Sequence, residues 1–78
     1  MKIFKYLSKR ARRKHIKQAL LARETEWYHY EVDRRNFVEM LRTEWSSDLE
    51  QRIVQIEAGQ RMVLAVYASL QNRLKEIV

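Results

Sequence analysis

The 78-residue chain has no Cys, no Pro and a single Gly, and 33% of its residues are charged. A chain this short buries only about 60% of the surface its unfolded form exposes, so it makes one domain with a marginal core. Lacking Cys, it has no disulfide to reinforce that core, no thiolate nucleophile and no Cys-based zinc or iron–sulfur centre.

The charge is unevenly spread. Residues 1–23 carry nine bases and no acid, whereas residues 24–78 carry seven bases and ten acids, so a segment at +9 precedes one at −3 and the chain totals +6. Residues 1–15 form a basic N-terminal arm. Drawn as a helix, residues 2–14 set Ile3, Phe4, Leu7 and Ala11 on one side and Lys2, Lys5, Lys9, Arg12 and Arg13 on or near the other. Such an amphipathic arm suits phosphate contacts on DNA or RNA, an anionic membrane surface, or an acidic protein.

For nucleic acid, the arm has no interleaved aromatics beyond Phe4 and Tyr6 and no Asn, so it would contact phosphates with little sequence selectivity. For a membrane surface, the apolar side is about three turns long and has no Trp, so binding would depend on anionic lipid. The bases expected to meet a nucleic acid or an acidic partner are Lys5, Lys9, Arg10, Arg12, Arg13, Lys14 and Lys17. In MKIFKYLSKRARRK charges recur every two or three residues, unlike the apolar stretch of a signal peptide. No run of about 18 apolar residues follows, and the expected location is the cytoplasm.

Residues 16–78 are expected to form an antiparallel, coiled-coil-like helical hairpin, making the protein all-α. Reading back from Trp45 through Leu41, Phe37, Arg34, Tyr30, Trp27, Arg23 and Leu20 to Ile16, spacings near four and three alternate, which predicts a first helix over about 16–45. Ser46-Ser47 breaks the pattern. Ser47 as N-cap with Glu50 three residues later has capping-box spacing, and Asp48 suits the positive helix start.

A second helix over about 48–77 follows, with the stripe Leu49, Ile53, Ile56, Gln60, Val63, Tyr67, Leu70, Leu74 and Ile77. At 1.5 Å per residue each helix spans about 45 Å, and a turn at 46–47 forces them antiparallel. Folding there pairs residues whose numbers add to about 94, setting Trp45 near Leu49, Trp27 near Tyr67 and Arg34 opposite Gln60, with Gly59 making room. A polar layer of this kind penalises slipped registers.

Both helices carry more apolar surface than one hairpin can bury. Tyr28 lies about 100° from Trp27 and joins Leu21 and Val32 in a second stripe. MVLAVYA, residues 62–68, is apolar all round, and a helix of that kind is normally buried all round. A homodimer forming a four-helix bundle, or docking on a larger partner, would cover this surface, with Leu21, Tyr28, Val32, Met62 and Leu64 as interface residues.

Catalytic patterns are weak. Glu26, His29 and Asp33 share one helix face as a possible ExxH metal half-site, but no glutamate of the second seam would complete it, and the segment EWYHYEVDRR reads as packing and ion pairs. His15 is about 21 Å further along the helix, too far to share a metal. Ser8, Ser46, Ser47 and Ser69 have no His and acid at helical spacing, and no Gly-rich phosphate loop exists. Arg23, Arg34 and Gln60 on the seam could imitate the lining of a small helical enzyme, yet register explains them.

No catalytic, metal or cofactor site and no small-molecule substrate is therefore expected. The sequence describes a non-enzymatic binding protein, an adaptor or inhibitor of the kind phages and other mobile elements carry. It would dock on an acidic protein or ribonucleoprotein surface, with phosphate binding to nucleic acid and membrane-surface attachment as the alternatives.

Overall fold

A computed structural model describes residues 8–77 of the chain and contains two helices, α1 (Lys9–Thr43) and α2 (Ser47–Glu76), packed against each other as a hairpin. The long dimension, 54 Å, is close to the length of α1 itself, and the other two are 19 and 16 Å. The described residues are two helices thick.

The first helix begins earlier than the heptad count predicts. Ser8 has extended backbone, and its Oγ accepts a hydrogen bond from the N–H of Ala11 at 3.1 Å, so Ser8 is the N-cap. Residues 9–15 are accordingly the first two turns of α1, continuous with residues 16–43, and the change from arm to hairpin at residue 15 is not a break in the helix. The rest of the arm, with Lys2 and Lys5, lies outside the described residues.

A helix start without an acidic residue and with several bases works against its own dipole. The antiparallel partner relieves this. The C-terminus of α2, with its negative partial charge, lies beside the start of α1, and Arg13 Nε donates to the carbonyl of Ile77 at 3.0 Å.

The connection is also displaced from its predicted place. α1 ends at Thr43, where extended Glu44 still donates its N–H to the Met40 carbonyl and the Thr43 hydroxyl donates to the same oxygen at 2.9 Å. The heptad count puts Trp45 on the seam; in the structure Trp45 lies in the connection and is 67% exposed. Ser46, not Ser47, is the N-cap of α2. No side-chain capping bond forms there, and the Glu50 N–H reaches the Ser46 carbonyl at 3.1 Å. Asp48 and Glu50 still occupy the first turn, where acids complement the dipole.

Moving the turn back moves the register. Arg13 meets Ile77, Glu24 meets Tyr67 and Glu31 meets Gln60, pairs that add to 90 or 91 and not to about 94. A slip of three or four residues is one helical turn, so the same stripes still face each other. Seam residues from Ile16 to Leu41 and from Leu49 to Ile77 are buried or half-buried. Among the described residues only Ile16 and Val63 are apolar and fully inside, with Glu31 and Gln60 as buried polar companions.

The one-turn slip changes who occupies the polar layer. Gln60 is buried as predicted, but its amide donates to Glu31 Oε2 at 2.8 Å, and the expected Arg34–Gln60 pairing is replaced by Glu31–Gln60. Arg34 is half-buried and donates to both oxygens of Glu31, at 3.1 and 2.5 Å, while Arg35 adds a third cationic contact at 3.2 Å. Three donors converge on one carboxylate. The hydrogen bonds from Arg34 and Gln60, ahead of that from Arg35, hold the Glu31 carboxyl down at about 2, well below the usual carboxylate range. Gly59 makes room for Tyr30, not for Arg34: a Cβ there would come within 2.8 Å of the Tyr30 ring.

Candidate interaction surfaces

Each helix has one face occupied by the other helix, so candidate surfaces are the faces that remain. On α1, Arg10, Lys14, Lys17, Leu21, Tyr28 and Val32 recur at helical spacing, about 150° around the helix from the packed stripe. All six are exposed. Arg10, Arg13, Lys14, Lys17, Gln18 and Leu21 surround one shallow depression, which makes the basic segment and the start of the apolar stripe a single surface. Further along, Tyr28 is 62% and Val32 is 38% exposed.

Of the other predicted contact bases, Lys9 is exposed and Arg12 is half-buried, whereas Lys5 lies outside the described residues. Arg13 serves two ends at once, since its Nε is bound to the Ile77 carbonyl while the side chain borders the depression.

Leu64 belongs elsewhere. It lines a second depression along the side of the hairpin with Arg23, Glu24, Trp27, Val63 and Tyr67. Trp27 and Tyr67 thus border the same hollow, as the hairpin predicts. The Tyr67 hydroxyl donates to Glu24 Oε1 at 2.8 Å, and this bond to a carboxylate raises the phenol above its ordinary pKa. Arg23 pairs with Glu26 at 2.8 Å, while its Nε is buried without a hydrogen-bond partner.

Met62, 72% exposed, lies on neither surface. Helical spacing puts it on the outer side of α2, roughly opposite the stripe that packs on α1. The five residues expected to form one interface are therefore all exposed but distributed over three faces. The exposed Met40 and Val54 were not singled out by sequence, and Val66 only as part of the apolar run 62–68; Val54 and Val66 stand eight before and four after Met62, so the helical period was the available signal.

The cluster in EWYHYEVDRR divides as packing predicts. Trp27 and Tyr30 are half-buried on the seam, Glu31 anchors the polar layer, and Tyr28, His29 and Asp33 are exposed. Among the described residues no three His, Asp or Glu side chains are grouped to hold a metal ion, and no helix is long and apolar enough to cross a membrane. Comparison with protein-family models, with curated proteins and with solved structures gives no match, so these surfaces alone bear on function.

Proposed function

We propose that the protein is a non-enzymatic binding module, an adaptor or inhibitor, that self-associates into a four-helix dimer and docks on an acidic protein surface through the outer ridge of α1. The observation that carries this is the continuity of that ridge, four exposed bases around a depression that runs into exposed Leu21, Tyr28 and Val32. Exposed bases accelerate and orient encounter with an acidic target, while an apolar stripe beside them supplies contact area that excludes water. A phosphate backbone would use the basic half and leave the apolar half in water, which favours a protein partner over nucleic acid. Work in the cytoplasm suits a fold that needs no disulfide.

The test is capture from host extract by the full chain, after nuclease treatment, compared with two variants. Tyr28→Ala, and separately Arg10→Glu with Lys14→Glu, should each lose one dominant protein while keeping the helical circular dichroism of the parent. Retention of that protein by both variants would reject the ridge. No protein captured, together with binding of purified duplex or single strand that falls steeply between about 50 and 200 mM salt, would replace the proposal with phosphate binding.

A further inference from the structure

The accessible surface of the chain is 6603 Å². Two packed helices leave more of their surface in water than a globular chain of the same mass does. A standard interface removes about 800 Å² from each partner. One further face of each hairpin can be covered on that scale.

The outer side of α2 has the composition of such a face. Gln51, Gln55, Ala58, Met62, Ala65 and Ser69 follow one another at alternating spacings of four and three, on the side of the helix away from α1. None is charged, in a chain where 33% of residues are. Val54, Met62 and Val66, exposed at 61, 72 and 45%, border or occupy it. Two charges of this stretch lie off the face, Arg52 over the Phe37 ring at 5.8 Å and Glu57 toward Arg34, while exposed Arg61, about 100° from Met62, flanks it beside Val54 and Ala65. With Ala58 and Ala65 on either side of a central Met62, two helix axes can approach to about 8–10 Å.

The ends of α2 identify the occupant. Its first turn carries Asp48 and Glu50, a net −2, and its last turn Arg73, Lys75 and Glu76, a net +1. Those charges complement each other when α2 lies beside a reversed copy of itself, and the two helix dipoles then also run antiparallel. A parallel copy would set acid on acid. We propose that a second copy of this chain covers the outer face of α2, antiparallel, with its two-fold axis at Met62. Gln55 then faces Ser69 of the second copy, Ala58 faces Val66, and the acidic first turn of each α2 lies beside the net basic last turn of the other. The two α2 helices lie at the centre and the two α1 ridges point outward, free for another partner.

This rests on the proposal that the hairpin self-associates, and the experiment separates the two. Light scattering of the full chain should give a dimer. Met62→Glu, which puts two carboxylates together at the axis, should raise the dissociation constant at least about tenfold, while Tyr28→Glu on the opposite side leaves it within about twofold. In this Cys-free chain Met62→Cys should oxidise to a covalent dimer. Gln55→Cys mixed with Ser69→Cys should give the mixed disulfide, with neither crosslinking alone because like positions stand about 21 Å apart. A parent that stays monomeric to about 1 mM removes both proposals. A dimer broken by Tyr28→Glu and indifferent to Met62→Glu, or a Ser69→Cys chain that crosslinks to itself, retains self-association and overturns this face.

Discussion

Gly59 lies in the middle of α2 with ordinary helical backbone, since no glycine here has positive φ. Conformation therefore does not require glycine, and helix propensity alone favours Gly59→Ala by about 1 kcal/mol. The obstacle is Tyr30. An added Cβ would meet Tyr30 Cζ at 2.8 Å, Cε1 at 3.0 Å and the hydroxyl at 3.1 Å, and the half-buried ring, stiff about its few torsions, has to move. Overpacking of this kind costs about 1–3 kcal/mol, so Gly59→Ala should destabilise the hairpin by about 0–2 kcal/mol. Removing the ring reverses the sign: in a Tyr30→Ala background the same substitution should stabilise by about 1 kcal/mol. Urea unfolding of the four chains, followed by circular dichroism at one fixed protein concentration, gives the coupling, expected at about 1–3 kcal/mol. If Gly59→Ala stabilises the parent by the full propensity term, or the two changes add within about 0.5 kcal/mol, Tyr30 is not what keeps position 59 small.

The Glu31 cluster makes stability depend on pH in a defined direction. Its carboxyl is held at about 2 in the folded protein against an ordinary 4.5, so the unfolded chain takes up the proton first; the contribution is full above about 4.5 and disappears as pH falls toward 2. Urea midpoints of the parent and Glu31→Gln should differ by a constant amount near neutrality and converge on acidification, and parallel curves down to the lowest pH would contradict this. Ile16, 4% exposed, should cost about 2–4 kcal/mol on truncation to Ala, whereas Leu21→Ala, at 63% exposure, should change the unfolding midpoint by less than about 0.5 kcal/mol. Arg13→Ala removes the bond to the Ile77 carbonyl and should speed amide exchange in the last turn of α2 several-fold while leaving the Val63 region unchanged; equal protection in both chains would show that this contact does not hold the helix end.

The faces of both helices were legible in the sequence because the alternation of four and three is long and nearly unbroken. The register was not, and one cause accounts for each error. Nothing like Gly or Pro marks the end of α1, so the pattern continues through Trp45 on paper; in the protein Thr43 and Glu44 close the helix on the Met40 carbonyl. Ser47 with Glu50 has capping-box spacing, yet Ser46 takes the cap position without a side-chain bond. The turn therefore shifts, and a one-turn slip brings Glu31 opposite Gln60 in place of Arg34 and Tyr30 opposite Gly59. Periodicity specifies a face to within about one residue but leaves the pairing along that face open to slips of a whole turn.

Exposure of Leu21, Tyr28, Val32, Met62 and Leu64 was legible for the same reason, each being apolar and off its seam. Their separation over three faces was not, because an apolar count says what burial favours and nothing about direction. Charge supplies the direction. A face left in water tolerates Lys, Arg and Glu at little cost, whereas a face packed on a partner excludes them unless they are paired. By that criterion the outer sides of the two helices differ in degree: that of α1 carries Arg10, Lys14 and Lys17 beside its apolar residues, while on that of α2 Gln51, Gln55, Ala58, Met62, Ala65 and Ser69 form an uncharged line flanked by Arg61. The first suits an encounter with an acidic surface and the second a permanent, nearly dry contact. Because they lie on opposite sides of the two-helix hairpin, occupation of one leaves the other accessible.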